Sequence, residues 1–162
     1  MAKAKEEKTN VMRILEQKGI VYTAHTYEHE EGVAVDGVTV ARSLGQDPEC
    51  VFKTLVARGA SKSIYVFVIP VLCELDRKKA AKAVGEKSVE LIPVKELLPL
   101  TGYIRGGCSP VGMKKKYPTY LDETCILWPE IAVSAGARGH QMIVPPKDLA
   151  GLVDARLADI TI

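Results

Sequence analysis

Val11, Ile14, Leu15 and Lys18 recur at three- and four-residue spacing, so they share one stripe of a helix. Thr9 or Asn10 can cap its start, and Gly19 stands where a left-handed residue ends it. From residue 20 the pattern changes to β-favouring side chains, which predicts a strand over 20–29 with His25, Tyr27 and His29 on one face. An acidic, glycine-punctuated loop over 30–37 leads to a short helix marked by Val38, Ala41 and Leu44 and stopped by Gly45; Asp47-Pro48 then marks a turn or helix start. Residues 51–58 read as a strand in which Lys53 interrupts apolar neighbours. Residues 64–71 are the most apolar strand and are expected at the centre of a sheet, with Pro70 at a bulge or edge. Asp76 caps a helix through Ala80, Ala81 and Val84 to Gly85, whose charged face is Arg77, Lys78, Lys79 and Lys82.

A strand over 89–94 and a short helix over 95–98 follow. Further strands are expected at 119–121, at 125–134 with a break at Pro129, and at 141–144, and a last helix at 147–153 is entered through Pro145-Pro146. Strands and helices mix without strict alternation. The expected class is α/β in the mixed α+β sense: a curved, barrel-like mixed sheet with helices packed outside, in one domain over 1–162.

Residues 101–110 read Thr-Gly-Tyr-Ile-Arg-Gly-Gly-Cys-Ser-Pro, a composition that suits neither helix nor central strand. Gly106 and Gly107 permit positive φ and close approach of a ligand, and Pro110 extends Ser109. Successive amides in such a loop can make a concave donor surface for an oxyanion, although a tight inter-strand turn has the same composition. Residues 134–139 form a second glycine-bearing turn.

Composition narrows the classes further. A hydrophobic content of 47% with 26% charged residues is that of a folded soluble protein, and a net charge of +2 gives no global field for nucleic acid, so any basic surface is local. The run Lys114, Lys115 and Lys116 is such a patch, able to meet phosphates or to be a solvated turn. Residues 1–10 lack the apolar core of a secretory signal, and the apolar run at 64–73 is too short to span a membrane, so a cytoplasmic location is expected. Cys50, Cys73, Cys108 and Cys125 are widely spaced and read as buried free thiols, and Cys108 as a packing residue. His25 and His29 are four apart in a segment that is not helical and have no obvious third ligand, so neither a metal nor another cofactor is expected.

Five spaced segments together resemble the YbaK family, free-standing relatives of the prolyl-tRNA synthetase insertion domain: Tyr27-Glu28-His29; Phe52-Lys53-Thr54-Leu55; Leu75-Asp76 with its lysines; Thr101-Gly-Tyr with Gly106-Gly107-x-Ser109-Pro110; and Ser134-Ala-Gly with Arg138-Gly139. The resemblance runs nearly the whole chain and is nearest to bacterial Cys-tRNA(Pro) deacylases. It implies an aminoacyl-tRNA deacylase that removes cysteine from proline tRNA by attack of the substrate's own thiol on its ester. The implied alternatives are removal of alanine or another small residue, or a non-catalytic regulator that binds an amino acid or nucleotide. It implies Lys53, Gly106 and Gly107 as catalytic, and Tyr27, Thr54, Ser109, Ser134, Gly136 and Gln141 as substrate-binding, with mischarged tRNA and prolyl-tRNA synthetase as partners. One departure stands out: where some relatives carry aspartate two residues after the Arg-Gly of the second turn, this chain has Gln141.

Overall fold

The computed structural model describes residues 8–30 and 32–162, so the expectation for the leading segment lies largely outside the described residues. The helices are α1 (Asn10–Gln17), α2 (Gly37–Ser43), α3 (Arg77–Val84), α4 (Val94–Thr101) and α5 (Pro146–Val153). The strands are β1 (Thr23–Thr26), β2 (Phe52–Gly59), β3 (Ile64–Pro70), β4 (Val89–Leu91), β5 (Thr119–Asp122), β6 (Ile131–Ser134), β7 (His140–Val144) and β8 (Arg156–Ala158). Side-chain caps place several helix starts: Thr9 accepts from the Met12 amide, Asp36 from Thr39, and Asp76 from Lys78 and Lys79. Gly85 ends α3 with a left-handed φ of 76°.

The strands form two sheets. One is antiparallel with order β1-β7-β6; the other has order β4-β2-β3-β5-β8, in which β5 runs parallel to β3 and β8 parallel to β5. The mixed sheet is as expected and β3 is at its centre. The ladder does not close into a barrel: among the described residues the sheets meet through a single parallel bridge between Val51 and Ala132. The chain leaves the ladder between β5 and β6, where Asp122 caps a 3-10 turn over Glu123–Leu127 by accepting from Thr124. The strand expected from residue 125 therefore starts only at Ile131, beyond Pro129. The first strand is also shorter than expected, and β8 was not anticipated. It pairs with β5, and just beyond it the Ile160 amide donates to the buried Asp122 carboxylate.

Alternation along β3 explains its unbroken apolar sequence. Val66 and Val68 face a core shared with α1, β6, β7 and α5 (Val11, Leu15, Ile131, Met142, Leu149), while Phe67 and Ile69 face a second core with Ala80, Val89 and Ile160. Burial of each of these larger side chains contributes about 1.5–3 kcal/mol. The central sheet is thereby covered on both faces, which fixes the backbone of β2 and β3 beside the site. Among the described residues, no helix is long and apolar enough to cross a membrane.

Candidate active site

A cavity of about 120 Å³ opens where the two sheets meet. β2 supplies Phe52, Lys53 and Thr54; β6 and β7 supply Val133, Ser134, His140 and Gln141; the glycine loop supplies Gly106 and Cys108, and Tyr27 adds a wall. Of the nine residues implied as catalytic or substrate-binding, the fold brings together Tyr27, Lys53, Thr54, Gly106, Ser134 and Gln141. Gly107, Ser109 and Gly136 do not line this space.

Those three residues shape the loops instead. A Cβ on Gly107 would lie 2.9 Å from the Arg138 amide nitrogen and 3.1 Å from the Ala137 carbonyl carbon, so its lack of a side chain lets the two glycine turns pack backbone to backbone. Its N–H donates to Ile104 at 3.0 Å. The Arg138 guanidinium donates to the Arg105 carbonyl at 2.7 Å and closes the same contact. Ser109 is fully buried, and its hydroxyl accepts from the Val111 amide at 3.3 Å. Gly136 adopts φ 96° against Val11 and Tyr103, while its amide donates to the Ser134 hydroxyl at 3.2 Å.

The cavity walls retain polar capacity that folding has not used. Among the described residues, the N–H groups of Gly106 and Cys108 have no protein acceptor, and the Lys53 ammonium has no ion pair or hydrogen bond. The Thr54 hydroxyl is buried without a partner, an arrangement that ordinarily costs about 1–3 kcal/mol. Lys53 and Thr54 project to opposite faces of β2. Thr54 joins the Phe52 and Val56 face, whereas Lys53 also borders an outer groove with Leu55, Asp76 and Lys78. The Tyr27 hydroxyl lies 3.5 Å from the Gly106 carbonyl oxygen, and its ring meets His29 edge to face.

Burial pushes the Cys108 thiol up to about 12, so at neutral pH it is a protonated packing group rather than a nucleophile. Cys108 and Cys125 are buried free thiols, whereas Cys50 and Cys73 are half-buried, which corrects the expectation of four buried thiols. Lys114, Lys115 and Lys116 lie elsewhere: the Lys114 stem rests on Gly102, Lys116 pairs with Asp154, and Lys115 and Lys116 border a separate groove with Ile14 and Lys18. Among the described residues, no group of three His, Cys, Asp or Glu side chains could hold a metal ion.

Sequence reasoning missed the apolar wall of Val35, Val40 and Val71, and it missed His140. Gly37 gave a usable signal. A Cβ there would lie 2.2 Å from Val71 Cγ1, so a glycine opening a helix marks where α2 presses on the end of the central sheet.

Comparison with known proteins places these elements in a wider set. The family model described as an aminoacyl-tRNA editing domain matches residues 32–152. A protein of Enterococcus faecalis named as a candidate Cys-tRNA(Pro)/Cys-tRNA(Cys) deacylase is 46% identical over 162 residues, covering 99% of this chain and 98% of the relative. The crystal structure of a protein described as a candidate trans-editing enzyme for prolyl-tRNA synthetase superposes with a TM-score of 0.79 at 26% identity, covering 96% of this chain and 99% of the other. A hypothetical protein of known structure shares the fold at a TM-score of 0.84 and 22% identity, covering 96% of this chain and all of the other.

Proposed function

The chain belongs to the aminoacyl-tRNA editing domain family, and from that premise we propose that it is a trans-editing deacylase that removes cysteine mischarged on tRNA(Pro). The observation that carries this reading is the small cavity walled by Lys53, Thr54, Gly106 and Gln141, in which polar groups remain available while the cavity thiol, Cys108, is held protonated. An aminoacyl ester is already activated, so such a site needs to orient it and to stabilise negative charge developing on the carbonyl oxygen.

In this reading the amides around Gly106 and Cys108 receive the carbonyl oxygen, and Gly107 keeps the loop close enough to do so. Lys53 holds the terminal nucleotide or the developing charge. Tyr27 and Ser134 wall the side chain, Thr54 donates its hydroxyl, and Gln141 accepts from the α-amino group. The cysteinyl sulfur attacks its own ester carbonyl, forming a C–S bond and breaking the C–O bond to ribose. The thiol proton ends on the ribose oxygen, and water then opens the cyclic thioester to free cysteine. Prolyl-tRNA synthetase would supply the tRNA selectivity that a nearly neutral surface lacks, and the chemistry belongs in the cytoplasm.

Release of amino acid from tRNA(Pro) charged with cysteine, alanine or serine, with and without the synthetase, tests the reading. The expected result is rapid loss of cysteine, with serine at least about tenfold slower because a hydroxyl is the poorer nucleophile. Equal rates for cysteine and serine would remove the thiol from the mechanism. Preferential loss of alanine would move the protein to the small-residue alternative, and stability of all three esters would make it a binding module.

A further inference from the structure

Gln141 occupies the middle strand of the antiparallel sheet, where its backbone pairs with His25 of β1 and Ser134 of β6. Its carboxamide is buried and lines the cavity, and its hydrogen-bond partner comes from a distant part of the chain. Gln46, in the turn after α2, donates Nε2–H to Gln141 Oε1 at 2.6 Å, and Gln141 Nε2–H donates back to Gln46 Oε1 at 3.1 Å. The Gln46 backbone is itself tied down, its amide donating to the Ala41 carbonyl at 2.9 Å.

A reciprocal pair of this kind leaves each amide with one N–H and one carbonyl lone pair uncommitted. Flipping both amides together preserves the pairing and leaves the same groups over, so this property does not depend on which end is nitrogen. Alone, a terminal carboxamide turns in a broad, nearly two-fold torsional well and would present oxygen and nitrogen to the cavity in turn. The pair couples the two torsions, because either amide turning alone would set oxygen against oxygen and nitrogen against nitrogen. It also joins the wall made by α2, with Val40 on it and Val35 just before it, to the floor of the cavity.

We propose that Gln46 is a positioning residue that fixes the Gln141 carboxamide so that it offers an acceptor to the α-amino group of the bound aminoacyl ester. The inference rests on the deacylase reading above. It also assigns a means of recognising an amino group without a carboxylate: two neutral amides locked against each other replace a charge whose orientation a single contact would set.

The test compares cysteinyl-tRNA(Pro) with its desamino counterpart, the 3-mercaptopropionyl ester of the same tRNA. Gln46→Met keeps the side-chain length and removes both hydrogen bonds. Gln46→Glu can still accept from Gln141 Nε2–H, but its second oxygen cannot donate to Gln141 Oε1, so it keeps one of the two hydrogen bonds and adds a negative charge. Gln46→Met is expected to lower kcat/KM on the cysteinyl ester about tenfold, chiefly through KM, and to change the desamino ester less than about twofold. Gln46→Glu is expected to lose less than Gln46→Met on the cysteinyl ester, because one bond to Gln141 remains and the added charge favours an amino group, and to leave the desamino ester within about threefold of the parent. Equal losses on both esters, or no loss on either, would reduce Gln46 to a structural contact. Should Gln46→Met melt below the assay temperature, Gln46→Asn, whose shorter amide cannot reach Gln141, takes its place: a loss of about tenfold confined to the cysteinyl ester supports the proposal, and equal losses or none overturn it. A parent protein that cleaves neither ester would overturn the deacylase reading instead. The same contrast would then be read as calorimetric binding of 3′-cysteinylamino-adenosine and its desamino analogue to the parent and Gln46→Met.

Discussion

At its C-terminal end β2 is paired on both sides, with β3 through Arg58 opposite Ile64 and with β4 through Ala57, Arg58 and Gly59 opposite Leu91, Glu90 and Val89. The charged residue there, Arg58, is closed by Glu96 at 2.7 Å. At its N-terminal end the same strand has β3 on one side, while on the other, among the described residues, the bridge at Val51, just before the strand, is what links it to β6. There Thr54 is buried without a partner, and Lys53 has none among the described residues. Where the second edge is paired, the charged side chain finds a partner in the fold; where it opens onto the cavity, capacity is left for a ligand. A strand braced on its other edge is also a rigid platform, so these groups are held in fixed positions rather than on a mobile loop.

Lys53→Ala should break the comparison most strongly. If the open end exists for the ligand, loss of the ammonium lowers cysteine release by about 10²–10³-fold, the range seen when one charge-stabilising group is removed. The melting temperature should stay near that of the parent, because among the described residues the Lys53 ammonium makes no ion pair or hydrogen bond. Parallel single-turnover deacylation and thermal melts check this, and a fully active variant would take Lys53 out of the mechanism. Thr54→Val sharpens the contrast with a smaller effect of opposite sign on the two readouts. Removing the orphaned hydroxyl should stabilise the fold by about 1 kcal/mol while slowing deacylation about tenfold. A destabilised variant would mean that the hydroxyl has a partner in solution.

Much of this frame could be read from the chain. The apolar run of β3, the caps at Thr9 and Asp76 and the stop at Gly85 are local signals, and local physics places them. Lys53 shows where that reading ends. A lysine among apolar neighbours reveals its face through period-two alternation, but not what lies across from it, so the residues alone suggest a solvent edge and the family resemblance suggests a cavity wall. Gln46 and Gln141 are 95 positions apart, and nothing local marks either as the other's partner. Gly107 and Ser109 were legible as special but not in kind: their glycine and proline context signals a shaped loop equally well whether the loop contacts a ligand or another turn. Likewise β8 forms by pairing in parallel with β5, more than thirty positions earlier, a partner that its three residues do not encode.

The smallest effect belongs to the closed end. Arg58 holds the Glu96 carboxyl below its ordinary value of 4.5, through their hydrogen bond first and their charges second. A carboxyl lowered by folding stabilises the native state above its unfolded value and loses that contribution as pH falls through the folded one. Arg58→Ala should therefore leave deacylation unchanged and lower the melting temperature slightly at pH 7, since both side chains are about one-third exposed and solvent weakens the pair. The gap between parent and variant should then shrink as pH falls below 4.5 and the parent's own advantage titrates away. Melts at pH 7, 5 and 3 read this directly. A gap that persists at pH 3 would show that Arg58 acts through packing of its stem along the sheet edge, and a loss of activity would show that the two ends of β2 are not independent.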